Sequence, residues 1–135
     1  MIRNLWPAIV WAIIILVITG VPGSYVPAVR SFWAWLSYDK IVHVGVFAIF
    51  TYLILYGFRQ QYLESKKRYL FVVPAVIVSL AYGLLTEVLQ AHVFIGRDGN
   101  AFDFYADSLG AIAGWIVFSF VHRKKIRTYA NTNQD

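Results

Sequence analysis

The stretch YLFVVPAVIVSLAYGLLT, residues 69–86, contains eighteen consecutive residues without a charged side chain. At about 1.5 Å per residue, a helix of this length covers about 27 Å, close to the roughly 30 Å hydrocarbon thickness of a bilayer. The whole chain has 59% hydrophobic and only 14% charged residues, whereas soluble domains are about half apolar and a quarter charged. The sequence therefore predicts an integral membrane protein.

Three further apolar segments are long enough to be membrane helices, which gives predicted spans at residues 5–21, 41–58, 69–86 and 105–122. The first segment resembles a signal peptide because Arg3 precedes an apolar run, but its Trp6 and Trp11 and its length favour a retained helix. A chain of 135 residues with this pattern is predicted to be a single all-α integral membrane domain, residues 1–135. The polar tail at 124–135 is predicted to be disordered.

Basic residues mark the ends of the apolar segments and predict the orientation. Of the 12 Lys and Arg residues, nine lie at the N-terminus, in the connection 59–68 or in the tail. Cytoplasmic segments are enriched in Lys and Arg, so the four transmembrane helices are predicted to leave the N and C termini cytoplasmic and segments 22–40 and 87–104 outside. The net charge of +5 forms no basic face, which argues against nucleic acid as a partner. Membrane lipid is the expected partner, and a homo-oligomer is compatible with the pattern.

The stretch TEVLQAHVFIGRDGNAFDFYADS, residues 86–108, concentrates polar side chains between two apolar segments. The predicted second, third and fourth spans all carry such residues at their outer ends. The full set is Asp39, Lys40, His43, Glu87, Gln90, Arg97, Asp103 and Asp107. Spacings of three or four residues place the members within one helix on a single face. Ionisable groups at membrane depth are costly unless they face the bundle interior or a wet cavity, so the set predicts a site shared by three helices.

Three interpretations of this set are open. In an enzyme acting on a lipid-linked substrate, His43 or Glu87 would be the general base, with Asp103 and Asp107 as further catalytic groups. Carboxylates and an imidazole are also compatible with a divalent metal cofactor, although no spacing matches a metal motif such as His-Glu-x-x-His. In a non-enzymatic module the same residues would recognise a lipid, an antibiotic or a partner protein. In a purely structural role they would form ion pairs between helices.

Four members of the set are candidates for substrate binding rather than catalysis. Lys40 and Arg97 would hold a phosphate, and Asp39 and Gln90 lie on the same predicted faces. The chain has no cysteine, which excludes disulfides and thiolate metal sites.

Three motifs resemble the VanZ-like family of small bacterial integral membrane proteins. They are DKIVHVGVFAIF at 39–50, GLLTEVLQAHVFIGR at 83–97 and DFYADSLGAIAGW at 103–115, and the resemblance covers about residues 36–120. It places the polar signature of the family on the set above, except that Asp107 stands where the family usually has Asn. The resemblance implies a multi-pass protein of the bacterial cytoplasmic (inner) membrane with a cell-envelope role, including resistance to the glycopeptide teicoplanin. The implied partner is a lipid-linked envelope precursor or a glycopeptide.

Two packing features are also predicted. Gly110 and Gly114 in GAIAG have the spacing that allows another helix to approach closely. Gly45 and Gly83 are likewise expected to allow close helix packing beneath the site.

The short connection 59–68 predicts that the helices on either side are antiparallel neighbours. A short interfacial helix is predicted within 22–40, and His122 is predicted to be peripheral.

Overall fold

The structure is a computed structural model that describes residues 4–21, 38–94 and 101–132. Within these ranges the chain forms five helices and no strand, with the bounds α1 Trp6–Thr19, α2 Tyr38–Gly57, α3 Arg59–Glu64, α4 Tyr69–His92 and α5 Ala101–Thr132. Three of them contain segments long and apolar enough to cross a membrane, namely Lys40–Gly57, Tyr69–His92 and Ala101–Tyr129. The predicted all-helical class is confirmed. Of the segment 22–40, where a short interfacial helix is expected, residues 22–37 lie outside the described residues and 38–40 belong to α2.

Helix α1 is shorter than the span predicted at 5–21. Pro7 lies in its first turn, where a proline sacrifices no helical hydrogen bond. Gly20 ends the helix, and its N–H donates to the carbonyl oxygen of Leu16 at 3.0 Å. Pro22 follows in the sequence and disfavours helical geometry at the residue before it. The 14 residues of α1 cover about 21 Å, which is less than the roughly 30 Å of hydrocarbon in a bilayer.

Helix α4 continues beyond the span predicted at 69–86. It runs through Glu87 and Gln90 to His92, because Glu, Leu, Gln and Ala are good helix formers and a charged side chain does not end a helix. Glu87 and Gln90 are therefore held by regular helix rather than by a loop.

Helix α5 is also longer than its predicted span at 105–122. It begins at Ala101 with Asp103 in its first turn, where the helix dipole favours an acidic side chain. The tail predicted to be disordered from residue 124 is helical as far as Thr132. Lys and Arg are good helix formers, and Ile126 packs against the hydrophobic core, so the helix has both the propensity and a packing contact to continue.

Helices α2 and α4 are antiparallel neighbours, as their short connection predicts. His43 near the start of α2 lies beside Glu87 near the end of α4. Eight residues further along α2, the hydroxyl of Thr51 is hydrogen-bonded to that of Ser79, eight residues back along α4, at 2.7 Å. The opposite order of the two pairs shows the antiparallel arrangement.

The connection between α2 and α4, which the sequence identifies only as short, contains the helix α3. Its Tyr62 and Leu63 are buried. The hydroxyl of Tyr62 is hydrogen-bonded to that of Ser119 on α5 at 3.1 Å, and its ring meets that of Phe118 edge-on at 5.2 Å. These contacts fix the connection against α5.

Helices α2 and α5 run parallel and are in close backbone contact at Gly110 and Gly114. A Cβ atom on Gly110 would overlap the carbonyl oxygen of Val44, and one on Gly114 would overlap that of Ala48. Both pairs have the same sequence offset, which defines parallel helices. The close approach predicted from GAIAG is confirmed.

The core is small and the outer surface is apolar. Phe47, Leu55 and Phe118 are fully buried between the helices, whereas Ile116 and Phe120 are more than half exposed. Exposed apolar surface of this extent is unfavourable in water and suits contact with hydrocarbon. The outer surface and the three long apolar helices together suggest a membrane protein.

Candidate functional site

Three ionisable side chains meet where α2 begins, α4 ends and α5 begins. They are His43, Glu87 and Asp107, and one nitrogen or oxygen atom from each lies within 4.8 Å of the other two. All three are buried, with at most 9% of each residue exposed. We call this group the triplet. It contains three of the four residues for which the sequence predicts catalytic roles, and those roles remain predictions.

A hydrogen bond joins two members of the triplet. Nδ1 of His43 and Oδ1 of Asp107 are 2.8 Å apart. When Nδ1 carries the proton, it donates to the carboxylate, which orients the ring and leaves Nε2 as the basic nitrogen. Such an imidazole can act as a general base or as a metal ligand supported by a carboxylate.

Gly83 on α4 makes room for the carboxylate of Asp107. A Cβ atom at this position would lie 3.0 Å from Oδ2 of Asp107 and 3.4 Å from the ring of Phe47. The expected packing role of Gly83 beneath the site is therefore confirmed. The same expectation for Gly45 is wrong, since a Cβ atom there would have no neighbour within 4 Å among the described residues. Gly45 lies on an exposed side of α2.

Glu87 completes the triplet from α4, one turn beyond Gly83. It is only 8% exposed, and the preceding Thr86 is fully buried, with its hydroxyl donating to the carbonyl oxygen of Gly83 at 2.8 Å. The bundle thus carries a carboxyl group in its interior, which costs stability when that group ionises. A residue kept at such a cost is a candidate for function.

Asp103, the fourth residue with a predicted catalytic role, belongs to a neighbouring contact. Its Oδ1 lies 3.7 Å from Nζ of Lys40. Among the described residues Asp103 is not a member of the triplet. It lies one turn before Asp107, about 6 Å away along α5, and Lys40 likewise lies one turn before His43. The site therefore has two layers. The Lys40–Asp103 ion pair forms the upper layer, nearer the N-terminal ends of α2 and α5, and the triplet forms the lower layer.

The other three predicted site residues fall outside these two layers or outside the described structure. Gln90 is buried, and its Nε2 donates to the carbonyl oxygen of Thr19 at 3.4 Å, a contact that connects α4 to the end of α1. Asp39 belongs to α2, but its side chain is outside the described residues, and so is all of Arg97.

Two buried polar features were not recognised from the sequence. Thr51 and Ser79 pair in the middle of the bundle, and the signal for them is a small polar residue at the centre of each apolar run. His122, predicted to be peripheral, is only 6% exposed. Its Nδ1 lies 2.9 Å from the carbonyl oxygen of Phe118, and the two rings are 4.3 Å apart. The signal available in the sequence was the four-residue spacing between Phe118 and His122, which places both side chains on one face of α5.

The triplet offers acid–base chemistry directly and metal binding after a small adjustment. An imidazole and two carboxyl groups can accept and return protons, and here all three are buried. The same atoms are ligands for divalent ions. Ligands around one small cation at ~2.0–2.2 Å lie about 3 Å apart, so binding would require the side chains, now separated by up to 4.8 Å, to move closer together.

Comparison with known proteins agrees with this description. A family model described as VanZ/LLP1 matches residues 4–122, a range that contains the triplet and the Lys40–Asp103 pair. No curated protein and no solved structure matches the chain. The match spans most of the 135 residues, including all the motifs that resemble the family. The chain belongs to the VanZ/LLP1 family.

Proposed function

We propose that this chain is a single-domain, multi-pass protein of the bacterial cytoplasmic (inner) membrane that acts on a lipid-linked precursor of the cell envelope and thereby contributes to teicoplanin resistance. The convergence of His43, Glu87 and Asp107 within 4.8 Å carries the proposal. Three helices contribute one buried ionisable group each to the same end of the bundle. Such groups are rare inside membrane bundles and mark sites of binding or proton transfer.

The proposed topology has four transmembrane helices, with both termini in the cytoplasm and the triplet near the outer surface. The distribution of Lys and Arg supports this orientation, and the parallel α2 and α5 with antiparallel α4 fit three successive crossings. Reporters fused after residue 135 and within 98–101 test it. We expect a cytoplasmic signal from the first and an outer signal from the second. The reverse pattern would place the triplet on the cytoplasmic side.

An apolar groove beside the site supports a lipid-linked substrate. It has a volume of about 360 Å³ and runs between α2 and α5, lined by Ile41, Val44, Phe102 and Leu109, with Lys40 at its edge. The apolar wall suits a hydrocarbon chain, and an ammonium group suits the phosphate that joins such a chain to its polar head. The groove begins next to the upper layer of the site.

The charges indicate how the polar head would be oriented. Carboxylates repel phosphate, so the phosphate would lie at Lys40, and the hydroxyl or amide groups of the head would donate to Glu87. His43, oriented by Asp107, would then act as the general base on a proton of the head. A divalent ion at the triplet would instead attract phosphate, and this is the second way in which the same residues would serve the proposed function.

A non-enzymatic alternative has an observation in its favour. The His43–Asp107 hydrogen bond and the Lys40–Asp103 contact both join α2 to α5, as ion pairs that fix helix register would do. A module of this kind would bind a lipid, an antibiotic or a partner protein without chemistry. Glu87 is the residue to test, because it lies on α4 and is not one of the residues in these two contacts between α2 and α5.

Replacing Glu87 with Gln tests the proposed function in cells. Gln keeps the size and hydrogen-bonding capacity of Glu but loses its charge and its titratable proton. In a susceptible bacterium that expresses the chain, we expect Glu87→Gln to lower the minimal inhibitory concentration of teicoplanin to that of cells without the protein. The matched control is Glu64→Gln, since Glu64 is exposed and accepts a hydrogen bond from Gln60 on the same helix. Full resistance with Glu87→Gln, at equal amounts of protein in the membrane, would refute the proposal.

A further inference from the structure

A second groove lies at the other end of the bundle, between α3, α4 and α5. Its volume is about 420 Å³. Val72, Val76 and Ile77 of α4 and Ile112 and Trp115 of α5 form its apolar walls, and Arg68 lies at one end. Arg68 immediately precedes α4, whereas Glu87 lies nearly at the end of that helix. Along α4, Glu87 is therefore about 28 Å from Arg68 and about 15 Å from Ile77, the groove residue of this helix nearest to the triplet.

The guanidinium group of Arg68 has a buried hydrogen-bond donor at the end of this groove. Its Nε is buried and has no hydrogen-bond partner among the residues that the structure describes. A buried N–H of a charged group costs stability unless an acceptor satisfies it. Arginine presents a planar set of donors that fits two oxygens of a phosphate or carboxylate group. The position of Arg68 at the mouth of an apolar groove indicates a ligand with an anionic head and an apolar chain.

The size of the groove matches one lipid chain. From Arg68 to Ile77 the groove follows α4 for about 13 Å at ~1.5 Å per residue. Half of a bilayer's hydrocarbon, which is the depth of one leaflet, is about 15 Å. A chain that starts at Arg68 would therefore extend towards the middle of the membrane alongside Val76 and Trp115. The exposed Lys66 and Lys67 add positive charge at the same surface, where each basic residue strengthens attraction to an anionic leaflet.

We propose that Arg68 and this groove bind an anionic phospholipid, with the phosphate on the guanidinium group and one acyl chain between α4 and α5. The bound lipid would cover exposed apolar side chains of both helices and hold them together at the end opposite the triplet. The proposal does not depend on the proposed function, because the two sites share no residue. An experiment that refutes one of the two proposals therefore does not refute the other.

Native mass spectrometry of the purified chain in a mild detergent tests this proposal. The protein is incubated with dioleoyl phosphatidylglycerol or, in parallel, with dioleoyl phosphatidylcholine, and the fraction that retains lipid is measured. We expect Arg68→Gln to reduce retention of phosphatidylglycerol about tenfold or more, as loss of a charged hydrogen bond does. Arg59→Gln is the matched control, since Arg59 lies over the ring of Tyr56 at 5.5 Å, away from the groove. This control is expected to retain phosphatidylglycerol like the parent.

Two further arms test the chain and the head separately. Val73→Trp adds bulk at an exposed position of the groove wall without removing charge, and it is expected to lower lipid retention while Arg68 stays in place. Inorganic phosphate is expected to raise the unfolding temperature much less than phosphatidylglycerol. Equal retention by Arg68→Gln and Arg59→Gln, equal retention of phosphatidylcholine, an unchanged Val73→Trp variant, or equal stabilisation by phosphate alone would overturn the proposal.

Discussion

Two buried polar contacts in this bundle differ in how much stability is lost by burying their polar groups. Thr51 and Ser79 are fully buried, and their hydroxyls satisfy each other at 2.7 Å. The triplet, about 12 Å away along α2, is also buried, with at most 9% of each residue exposed, but it consists of groups that ionise. Neutral hydroxyl pairs join helices at little cost, whereas buried charges are expensive even when paired. A bundle that needed only to join α2 to α4 would be served by a second hydroxyl pair, so the triplet requires a reason other than helix packing.

Of the variants that test this comparison, Asp107→Ala is expected to cause the largest loss of stability. It removes the partner of His43 at 2.8 Å and leaves a cavity in the interior. We expect the free energy of unfolding in detergent to fall by about 3 kcal/mol. Asp107→Asn is the control, because its amide oxygen can still accept from Nδ1 of His43, and we expect it to lose about 1 kcal/mol or less. Equal losses would show that the hydrogen bond is not what stabilises this layer.

Gly83→Ala is expected to have the next largest effect. The new Cβ would lie 3.0 Å from Oδ2 of Asp107, and overpacking of this kind typically costs about 1–3 kcal/mol. The control is Gly45→Ala, where the added Cβ has no neighbour within 4 Å in the part of the chain that the structure describes. Since alanine is a better helix former than glycine, that variant should be neutral or more stable by up to about 1 kcal/mol. Thermal unfolding of both variants in the same detergent measures the difference, and similar melting temperatures would refute the close packing of the site.

The hydroxyl pair of Thr51 and Ser79 is expected to behave as a purely structural contact. Ser79→Ala leaves the hydroxyl of Thr51 without its 2.7 Å partner and should cost about 1 kcal/mol. The double variant Thr51→Val and Ser79→Ala removes both groups and should recover most of that loss. Teicoplanin resistance of cells should be unchanged in either variant. Loss of resistance at normal protein levels would show that the hydroxyl pair also serves function, and the distinction between the two contacts would fail.

The sequence identified the members of the triplet but not their pairing. In apolar helices every ionisable residue is conspicuous, and the bilayer restricts the depth at which it can lie, so the candidate set was visible without a structure. Asp103 and Asp107 lie on the same face of α5 as Gly110 and Gly114, so both face α2. Which acid meets His43 depends on the axial register between the helices. Backbone contact at the two glycines sets that register, and no local sequence pattern reports it.

The ends of the helices were predicted less well than their centres. Hydropathy shows where an apolar run stops, whereas a helix stops where its backbone hydrogen bonds do. Helix α4 therefore extends past Glu87 and α5 extends through the basic residues to Thr132. The short helix α3 was missed because its buried residues, Tyr62 and Leu63, stand between polar neighbours in the sequence and become buried only in the assembled bundle.

Binding of a polyprenyl-diphosphate-linked sugar to the chain in nanodiscs tests the central claim most directly, when the parent is compared with Glu87→Gln and the control Glu64→Gln. Glu87 is buried, and Gln has nearly the same shape and can still accept hydrogen bonds through its amide oxygen, so its replacement by Gln should change the free energy of unfolding by about 1 kcal/mol or less. We expect Glu87→Gln to bind the lipid-linked sugar about tenfold or more weakly than the parent, because it loses a charged acceptor for the sugar hydroxyls, and Glu64→Gln to bind like the parent. Unchanged affinity in Glu87→Gln would contradict the account.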